Sequence, residues 1–139
     1  MQRRQNESEN QNVWRRANIA TVDEACDLMF ERDIRHIPIV KDGTVVGIIS
    51  DRDIRCYLAE LFRDTLQGSE TEEKKGTPLR DIMQAKPISV LPDADMQDVI
   101  ESLLEWKVGA VLVCEPQDKL RGIVSYEDIL EVVRDLVAL

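Results

Sequence analysis

The sequence is poor in the residues from which metal centres, disulfide frameworks and membrane spans are built. One histidine, His36, leaves too few ligands for a zinc site of the usual set. Three cysteines without a Cys-x-x-Cys pair are typical of reduced thiols in a reducing compartment. The longest apolar run, Val108 to Cys114, has seven residues, whereas a membrane-spanning helix needs about 20. These shortages predict a cytoplasmic protein without a metal centre or a membrane span.

Basic residues are also in deficit. The 139 residues include 18 Lys and Arg against 27 Asp and Glu, a formal net charge of −9. A charge of this sign repels a polyanion, so nucleic acid is not an expected partner. The N-terminal arginines are followed by no apolar run, and no export signal is expected. With 43% hydrophobic residues, the chain has enough apolar surface for one folded domain.

Motifs of the common enzyme classes are missing. Any Ser-His-Asp or Cys-His arrangement would depend on His36, and neither a P-loop nor a Gly-x-Gly-x-x-Gly motif occurs. The sequence Asp51-Arg52-Asp53 lacks the further oxygen ligands of a calcium loop. We therefore do not expect an enzyme, and a metal-dependent enzyme that uses the acidic surface is the least favoured alternative.

Two polar stretches divide the chain. Residues 1–12 contain little that could be buried and are predicted to be a disordered tail, and the charged residues 67–77 are predicted to be a linker. The halves between them, 13–66 and 78–139, resemble each other. At an offset of 75, Gly47 to Ile54 falls on Gly122 to Ile129, with five of eight pairs identical. This concentration of identities indicates an internal repeat.

Each half has the same pattern of elements. Helical spacing over Thr21–Arg32 returns over Asp95–Lys107, and each is followed by two short apolar strands joined by a turn. A second helix closes each half, over residues 52–66 and 127–137. A short opening strand, Pro87 to Val90, is visible only in the second half. Halves of about 60 residues are marginal alone, so an α+β fold in which two repeats pack sheet to sheet is predicted.

The motif Ser-x-x-Asp occurs at the same place in both halves, where a strand ends and a helix begins. Ser50 and Asp53 form the first copy, and Ser125 and Asp128 form the second. One interpretation is a capping box that satisfies the first helical amides. The other is an anion site, in which the hydroxyl holds a phosphate and the carboxylate accepts the hydroxyls of a ribose. Both interpretations can hold together.

Cations are segregated in the first half, where nine of the twelve arginines lie. Arg35-His36-Ile37-Pro38 places two of the potential cations at the start of a strand. The segregation favours a local anion pocket, although a solvated face would also explain it. A single histidine is more often a structural residue than a ligand contact.

These residues resemble a known family. Ile34 to Val40 together with Val46 to Ile54 is similar to the core of a cystathionine-beta-synthase (CBS) domain, and Asp81 to Met83, Pro87 to Val90 and Gly122 to Ile129 are similar to a second. The resemblance covers residues 13–138. It implies a tandem pair, or Bateman module, of two β-α-β-β-α repeats related by a pseudo-twofold axis.

The resemblance also implies a homodimer, no required cofactor, and an adenosyl ligand such as AMP, ADP, ATP, an NAD-type nucleotide or S-adenosylmethionine. Residues that match the positions of the family's ligand contacts are Arg35, His36, Pro38, Ser50, Arg52, Asp53, Ser89, Val90, Ala110, Val111, Ser125 and Asp128. The hydroxyls and Arg35, His36 and Arg52 would face phosphate or ribose, the two Asp carboxylates would bind ribose, and the opening strand would meet adenine.

The sequence departs from the family pattern at two places. Residues 13–18 replace the usual opening segment of the first repeat, and Gly109-Ala110-Val111-Leu112 replaces Arg-His-x-Pro in the second. The resemblance therefore does not predict two equal sites. The first hypothesis is a nucleotide sensor that acts on an unknown separate protein. The second is a ligand-free structural and dimerisation adaptor, in which the Ser-x-x-Asp motifs only cap helices.

Overall fold

The computed structural model describes residues 21–68 and 77–138. In chain order, these residues form the helix α1 (Val22–Arg32), the strands β1 (His36–Lys41) and β2 (Thr44–Ser50), the helix α2 (Asp51–Leu66), a 3-10 turn (Leu79–Asp81), the strands β3 (Gln84–Ala85) and β4 (Ser89–Val90), the helix α3 (Met96–Trp106), the strands β5 (Ala110–Glu115) and β6 (Lys119–Ser125), and the helix α4 (Tyr126–Val137). The predicted tail, the opening segment at residues 13–18 and most of the predicted linker lie outside the described residues.

The duplication extends to backbone details. Helices α1 and α3 each end at a residue in the left-handed conformation, Asp33 at φ 51° and Lys107 at φ 52°, which are 74 positions apart. The strand pairs β1–β2 and β5–β6 each carry a register shift at matching positions, Ile39/Val40 and Val113/Cys114. Because such irregularities are local departures from regular geometry, their recurrence confirms the repeat better than helices and strands alone.

The strands form one mixed sheet in the order β1-β2-β6-β5-β4, with β3 paired to β2. The two hairpins are joined at the pair Thr44 and Lys119, next to which the amide of Val45 donates to the carbonyl of Asp118 at 3.0 Å. The predicted opening strand of the second half is present as β4, which runs parallel to β5. Strand β3 was not predicted.

Three apolar clusters form the core. One lies in the first half around Ala25, Ile37 and Ile49, and another lies in the second half around Val99 and Val111. The middle cluster combines Val45 from β2 with Leu112 and Cys114 from β5. This shared cluster is the seam at which the sheets of the two repeats pack together, which confirms the predicted architecture.

The residues that open the predicted second repeat pack on the first repeat. The amide of Val22 donates to the carbonyl of Thr77 at 3.0 Å, and Leu79 is 2% exposed within the first cluster. At Gly47 in β2, an added Cβ would lie 2.6 Å from the sulfur of Met83, so this close approach requires glycine. We call residues 77–85 the strap.

In residues 21–68 and 77–138, no helix is both long enough and apolar enough to cross a membrane.

Candidate functional site

A cavity of about 510 Å³ opens in front of the start of α2, and we call it the first cleft. Both repeats and the strap contribute to it, with the lining residues His36, Ile48, Ser50, Arg52, Asp53, Cys56, Gln84, Lys86, Pro87, Ile88, Trp106, Lys107, Val108, Gly109 and Ala110. The volume is within the usual range of small-molecule pockets, about 300–1,000 Å³. Five of the predicted site residues are brought together here, namely His36, Ser50, Arg52, Asp53 and Ala110.

The Ser-x-x-Asp motif of the first cleft is a complete capping box. The amide of Ser50 donates to Oδ2 of Asp53 at 2.9 Å, and the amide of Asp53 donates to Oγ of Ser50 at 3.1 Å. These bonds hold both side chains at the cavity wall, where the start of α2 also presents the positive end of the helix dipole. The capping interpretation is therefore confirmed, and it fixes a hydroxyl and a carboxylate at the cavity.

The second motif has the same geometry in a different setting. The amide of Ser125 donates to Oδ2 of Asp128 at 2.9 Å, and the amide of Asp128 donates back to Oγ of Ser125 at 3.3 Å. Neither residue lines the first cleft. Arg35 lies on this side, where its Nε is 3.3 Å from Oε1 of Glu127 at the start of α4.

His36 is fixed at the junction of the repeats. An added Cβ at Gly109 would lie 2.9 Å from Nε2 of His36, so the absence of a side chain at Gly109 makes room for the imidazole. Burial lowers the pKa of His36, and the nearby carboxylates of Asp51, Asp53 and Glu127 oppose that effect only in part. The imidazole is thus a neutral donor and acceptor at neutral pH.

The remaining predicted residues lie away from the first cleft. Pro38 and Val111 are buried in the sheet, and Val90 is half-buried against the cluster of the second half. Ser89 lines a separate cavity of about 340 Å³ and hydrogen-bonds Cys114, whose pKa is nevertheless raised, chiefly by burial. From the opening segment, Pro87 and Ile88 line the first cleft instead.

Ten residues that line the first cleft were not predicted, and five of them have polar, sulfur-containing or aromatic side chains: Cys56, Gln84, Lys86, Trp106 and Lys107. Cys56 lies one helical turn after Asp53, and that spacing could have indicated it. Lys107 is the counterpart of Asp33 in the repeat alignment, at the end of the preceding helix. No local signal marks Gln84 or Lys86, because the strap and Lys86, the residue that follows it, reach the cavity only in the folded chain.

A metal centre has no support in residues 21–68 and 77–138. Within these ranges, no three His, Cys, Asp or Glu side chains come together in a group that could hold a metal ion. Among the described residues, Asp53, with its Ser50 partner, is the only carboxylate that lines the first cleft.

The fold and the first cleft define a pair of interlocked α+β repeats with a small-molecule pocket at the start of a helix. A model of the CBS domain matches residues 19–60 and 79–135. The chain therefore belongs to the CBS domain family, as a tandem pair.

Two curated relatives show how such pairs occur. The CBS domain-containing protein YhcV of Bacillus subtilis is 28% identical over 109 residues, 78% of this chain and 70% of its own length. A homoserine O-acetyltransferase of Methanohalobium evestigatum is 26% identical over 116 residues, 83% of this chain, but only 21% of the enzyme is covered. Pairs of this kind thus occur both as small proteins and within enzymes.

Two solved structures share the fold and contain ligands. The CBS domain pair of MJ0100, in complex with 5'-methylthioadenosine and S-adenosyl-L-methionine, matches with a TM-score of 0.69 and 26% identity over 84% of this chain and 83% of that one. CBSX2 in complex with AMP matches with a TM-score of 0.65 and 26% identity, again over 84% and 83%.

Proposed function

We propose that this protein is a sensor of adenosyl nucleotides that regulates a separate partner protein and has no catalytic activity of its own. The observation that carries the proposal is the first cleft, in which the capping-box pair Ser50 and Asp53 meets residues of the other repeat. The ligands of MJ0100 and CBSX2, two proteins of the same fold, support an adenosyl ligand. The free thiols of Cys26, Cys56 and Cys114 support a reducing, cytoplasmic location.

Ribose and phosphate have distinct partners in this proposal. The Asp53 carboxylate accepts hydrogen bonds from ribose hydroxyls, while Ser50 and Arg52 meet the first phosphate at the positive end of α2. Adenine lies against Pro87, Ile88 and Ala110. The second motif, Ser125 and Asp128 with Arg35 beside it, is proposed to serve a second, unequal site.

Signalling follows from the position of the cleft between repeats. A ligand that touches both repeats stabilises the packing in which its contacts are best, and it shifts the equilibrium by its difference in affinity between the two packings. A partner that binds one packing would then respond to nucleotide concentration. At the seam the backbones of the two hairpins join only around the pair Thr44 and Lys119, where the amide of Val45 also donates to the carbonyl of Asp118, so a small shift there changes how the repeats pack.

Thermal unfolding with AMP, ADP, ATP, NAD and S-adenosylmethionine tests the proposal. A ligand that binds only the folded protein stabilises it by about 2.7 kcal/mol at 100 times its Kd. Asp53→Ala should abolish the stabilisation. Asp98→Ala is the matched control, because Asp98 occupies the same position in the capping box of α3 but does not line the cleft. Absence of any ligand response in the unmodified protein would refute the proposal.

We also propose a homodimer formed through the second helix of each repeat. Helix α2 exposes Leu58, Phe62 and Leu66 at spacings of four residues, so they form one apolar stripe. Helix α4 exposes a comparable set, Leu130, Val133 and Val137. Phe62→Glu should yield monomers in sedimentation experiments, whereas Phe30→Glu on α1, where the side chain is 91% exposed, should leave the oligomer intact.

A ligand-free adaptor is the second candidate, and one observation favours it. Both Ser-x-x-Asp motifs are fully used as capping boxes, so helix stability alone would account for them. This candidate predicts that the protein forms a dimer and that no adenosyl compound changes its unfolding temperature. The same panel of nucleotides therefore separates the two candidates.

A further inference from the structure

Three cationic side chains converge on the first cleft from different parts of the chain. Arg52 belongs to the first turn of α2, Lys86 follows β3 in sequence, and Lys107 ends α3. All three are exposed, and none forms an ion pair with any residue of the described ranges. Of the carboxylates in the part of the chain that the structure describes, Asp53 alone lines the cleft, and its Oδ2 already accepts a hydrogen bond from the amide of Ser50.

The surroundings make this cluster unusual for the molecule. The chain carries a net charge of −9, and several arginines elsewhere are paired with carboxylates, as in Arg55 with Asp51 and Arg121 with Glu115. Unpaired charges of one sign around a cavity repel each other and attract a counter-ion of opposite sign. The cluster therefore indicates an anionic ligand whose charge exceeds what one cation would balance.

The two lysines have a second property in common. Lys86 and Lys107 both adopt the left-handed backbone conformation, with φ values of 56° and 52°. Glycine or asparagine adopts this conformation at lower cost than lysine, and at position 86 the following Pro87 restricts the backbone further. Residues in strained backbone conformations cluster at functional sites, and both lysines line the cavity, although the conformation of Lys107 also recurs at its counterpart Asp33 at the end of α1.

We infer that the first cleft selects nucleotides with two or three phosphates over AMP and over uncharged or cationic adenosyl compounds, and that Lys86 and Lys107 supply this selectivity. The inference rests on the proposed function, because it assumes that an adenosyl ligand occupies the cleft. Arg52 and the start of α2 balance the first phosphate, and the two lysines balance the phosphates beyond it. The positive charges of S-adenosylmethionine would meet like charges here.

Isothermal titration of the full chain in magnesium-free buffer tests the selectivity with ATP, ADP, AMP, adenosine and S-adenosylmethionine. ATP should bind at least about tenfold more tightly than AMP, and every tenfold corresponds to about 1.4 kcal/mol. The ratio should shrink as salt is added, because screening weakens exposed charge pairs.

The variant Lys86→Gln/Lys107→Gln should lose the preference for ATP while its affinities for AMP and adenosine stay within about twofold of the original, a change of under 0.5 kcal/mol. Lys41→Gln/Lys119→Gln is the matched control: it removes the same charge at exposed hairpin positions outside the cleft. Unchanged unfolding midpoints of both variants would show that the fold persists.

The possible results distinguish a failure of the proposed selectivity from a failure of the proposed sensor function. Equal affinities for ATP and AMP, tighter binding of S-adenosylmethionine, or an equal loss for all ligands in the cleft variant would overturn the selectivity and leave the sensor proposal standing. No binding of any adenosyl compound would overturn both.

Discussion

The starts of helices α2 and α4 carry the same motif in different surroundings, so the effect of the surroundings can be compared within one chain. Both carry a Ser-x-x-Asp capping box with nearly the same hydrogen bonds. They differ in the residue before the aspartate, which is Arg52 in α2 and Glu127 in α4. Arg52 faces a cavity with two lysines, whereas Glu127 is paired with Arg35. The motif therefore specifies the helix start in both places, whereas the charged residues around it differ. We expect these surrounding charges to determine whether an anion binds.

We expect the largest loss of stability from a substitution in the middle cluster, because this cluster joins the two repeats. Leu112→Ala empties the middle cluster, in which Leu112 is fully buried. Truncation of a buried leucine costs about 2–5 kcal/mol. Chemical denaturation measures the loss, and Leu104→Ala, at an exposed position of α3, is the control with little expected change. Equal losses in the two variants would mean that the cluster does not support the fold.

Replacing Arg52 by glutamate, the residue at the matching position of α4, should remove the difference in charge between the two helix starts. The carboxylate of the Arg52→Glu variant would lie in the first cleft and would repel phosphate. Since hydrogen bonds to charged groups contribute about 1.5–3 kcal/mol, AMP should bind at least tenfold more weakly in a calorimetric titration. Arg63→Glu makes the same charge change at an exposed position near the end of α2 and should bind AMP normally. Normal binding by Arg52→Glu would remove this side chain from the site.

The capping boxes of the two helix starts should contribute equally to the free energy of unfolding. Ser50→Ala and Ser125→Ala each remove one capping oxygen, and each should lower the free energy of unfolding by about 1 kcal/mol. Ser102→Ala, in the middle of α3 and without a capping role, provides the baseline. A cost confined to one of the two serines would show that the boxes are not equivalent in energy.

The smallest effect concerns His36, which lies between the two helix starts. Because burial lowers the pKa of His36 below its ordinary value of 6.5, the unfolded chain takes up this proton more readily. The folded state therefore loses stability as the pH falls through 6.5, and is unaffected by this group at higher pH. Denaturation at about pH 7.5 and 5.5 should show a steeper loss for the unmodified protein than for His36→Gln, in which the carboxylates still titrate. Parallel losses would exclude the histidine as the cause.

Much of the fold could be predicted because its signals are local. Periodicity and capping residues placed all four helices within a residue or two, as with the predicted start of α1 at its N-cap Thr21 and of α2 at Arg52 instead of Asp51. The turn Asp42-Gly43, with both residues at positive φ, is typical of a two-residue hairpin. Strand β3 escaped prediction because two residues carry no period, and because its existence depends on β2, where Gly47 pairs with Ala85, 38 positions further along the chain.

The cleft was predictable only in the part that belongs to the motifs. Ser50, Arg52 and Asp53 stand together in the sequence, so their shared position at a helix start could be deduced. Lys86 and Lys107 come from separate segments, and both line the cleft because β3 pairs with β2 and α3 packs on β5. A charge cluster assembled in this way leaves no pattern in the order of residues.

The strap has a consequence for how such a molecule can be divided or recombined. Leu79 fills the interior of the first copy although it follows the first copy in the chain, and the Tyr57 and Thr77 hydroxyls are hydrogen-bonded across the same boundary. A fragment that ends at Gly68 would lack Leu79 in its apolar core. The fragment that begins after Gly68 would expose Leu79 to solvent. The first copy is thus completed by residues that follow it in the chain, so a protein made of that copy alone would lack part of its apolar core.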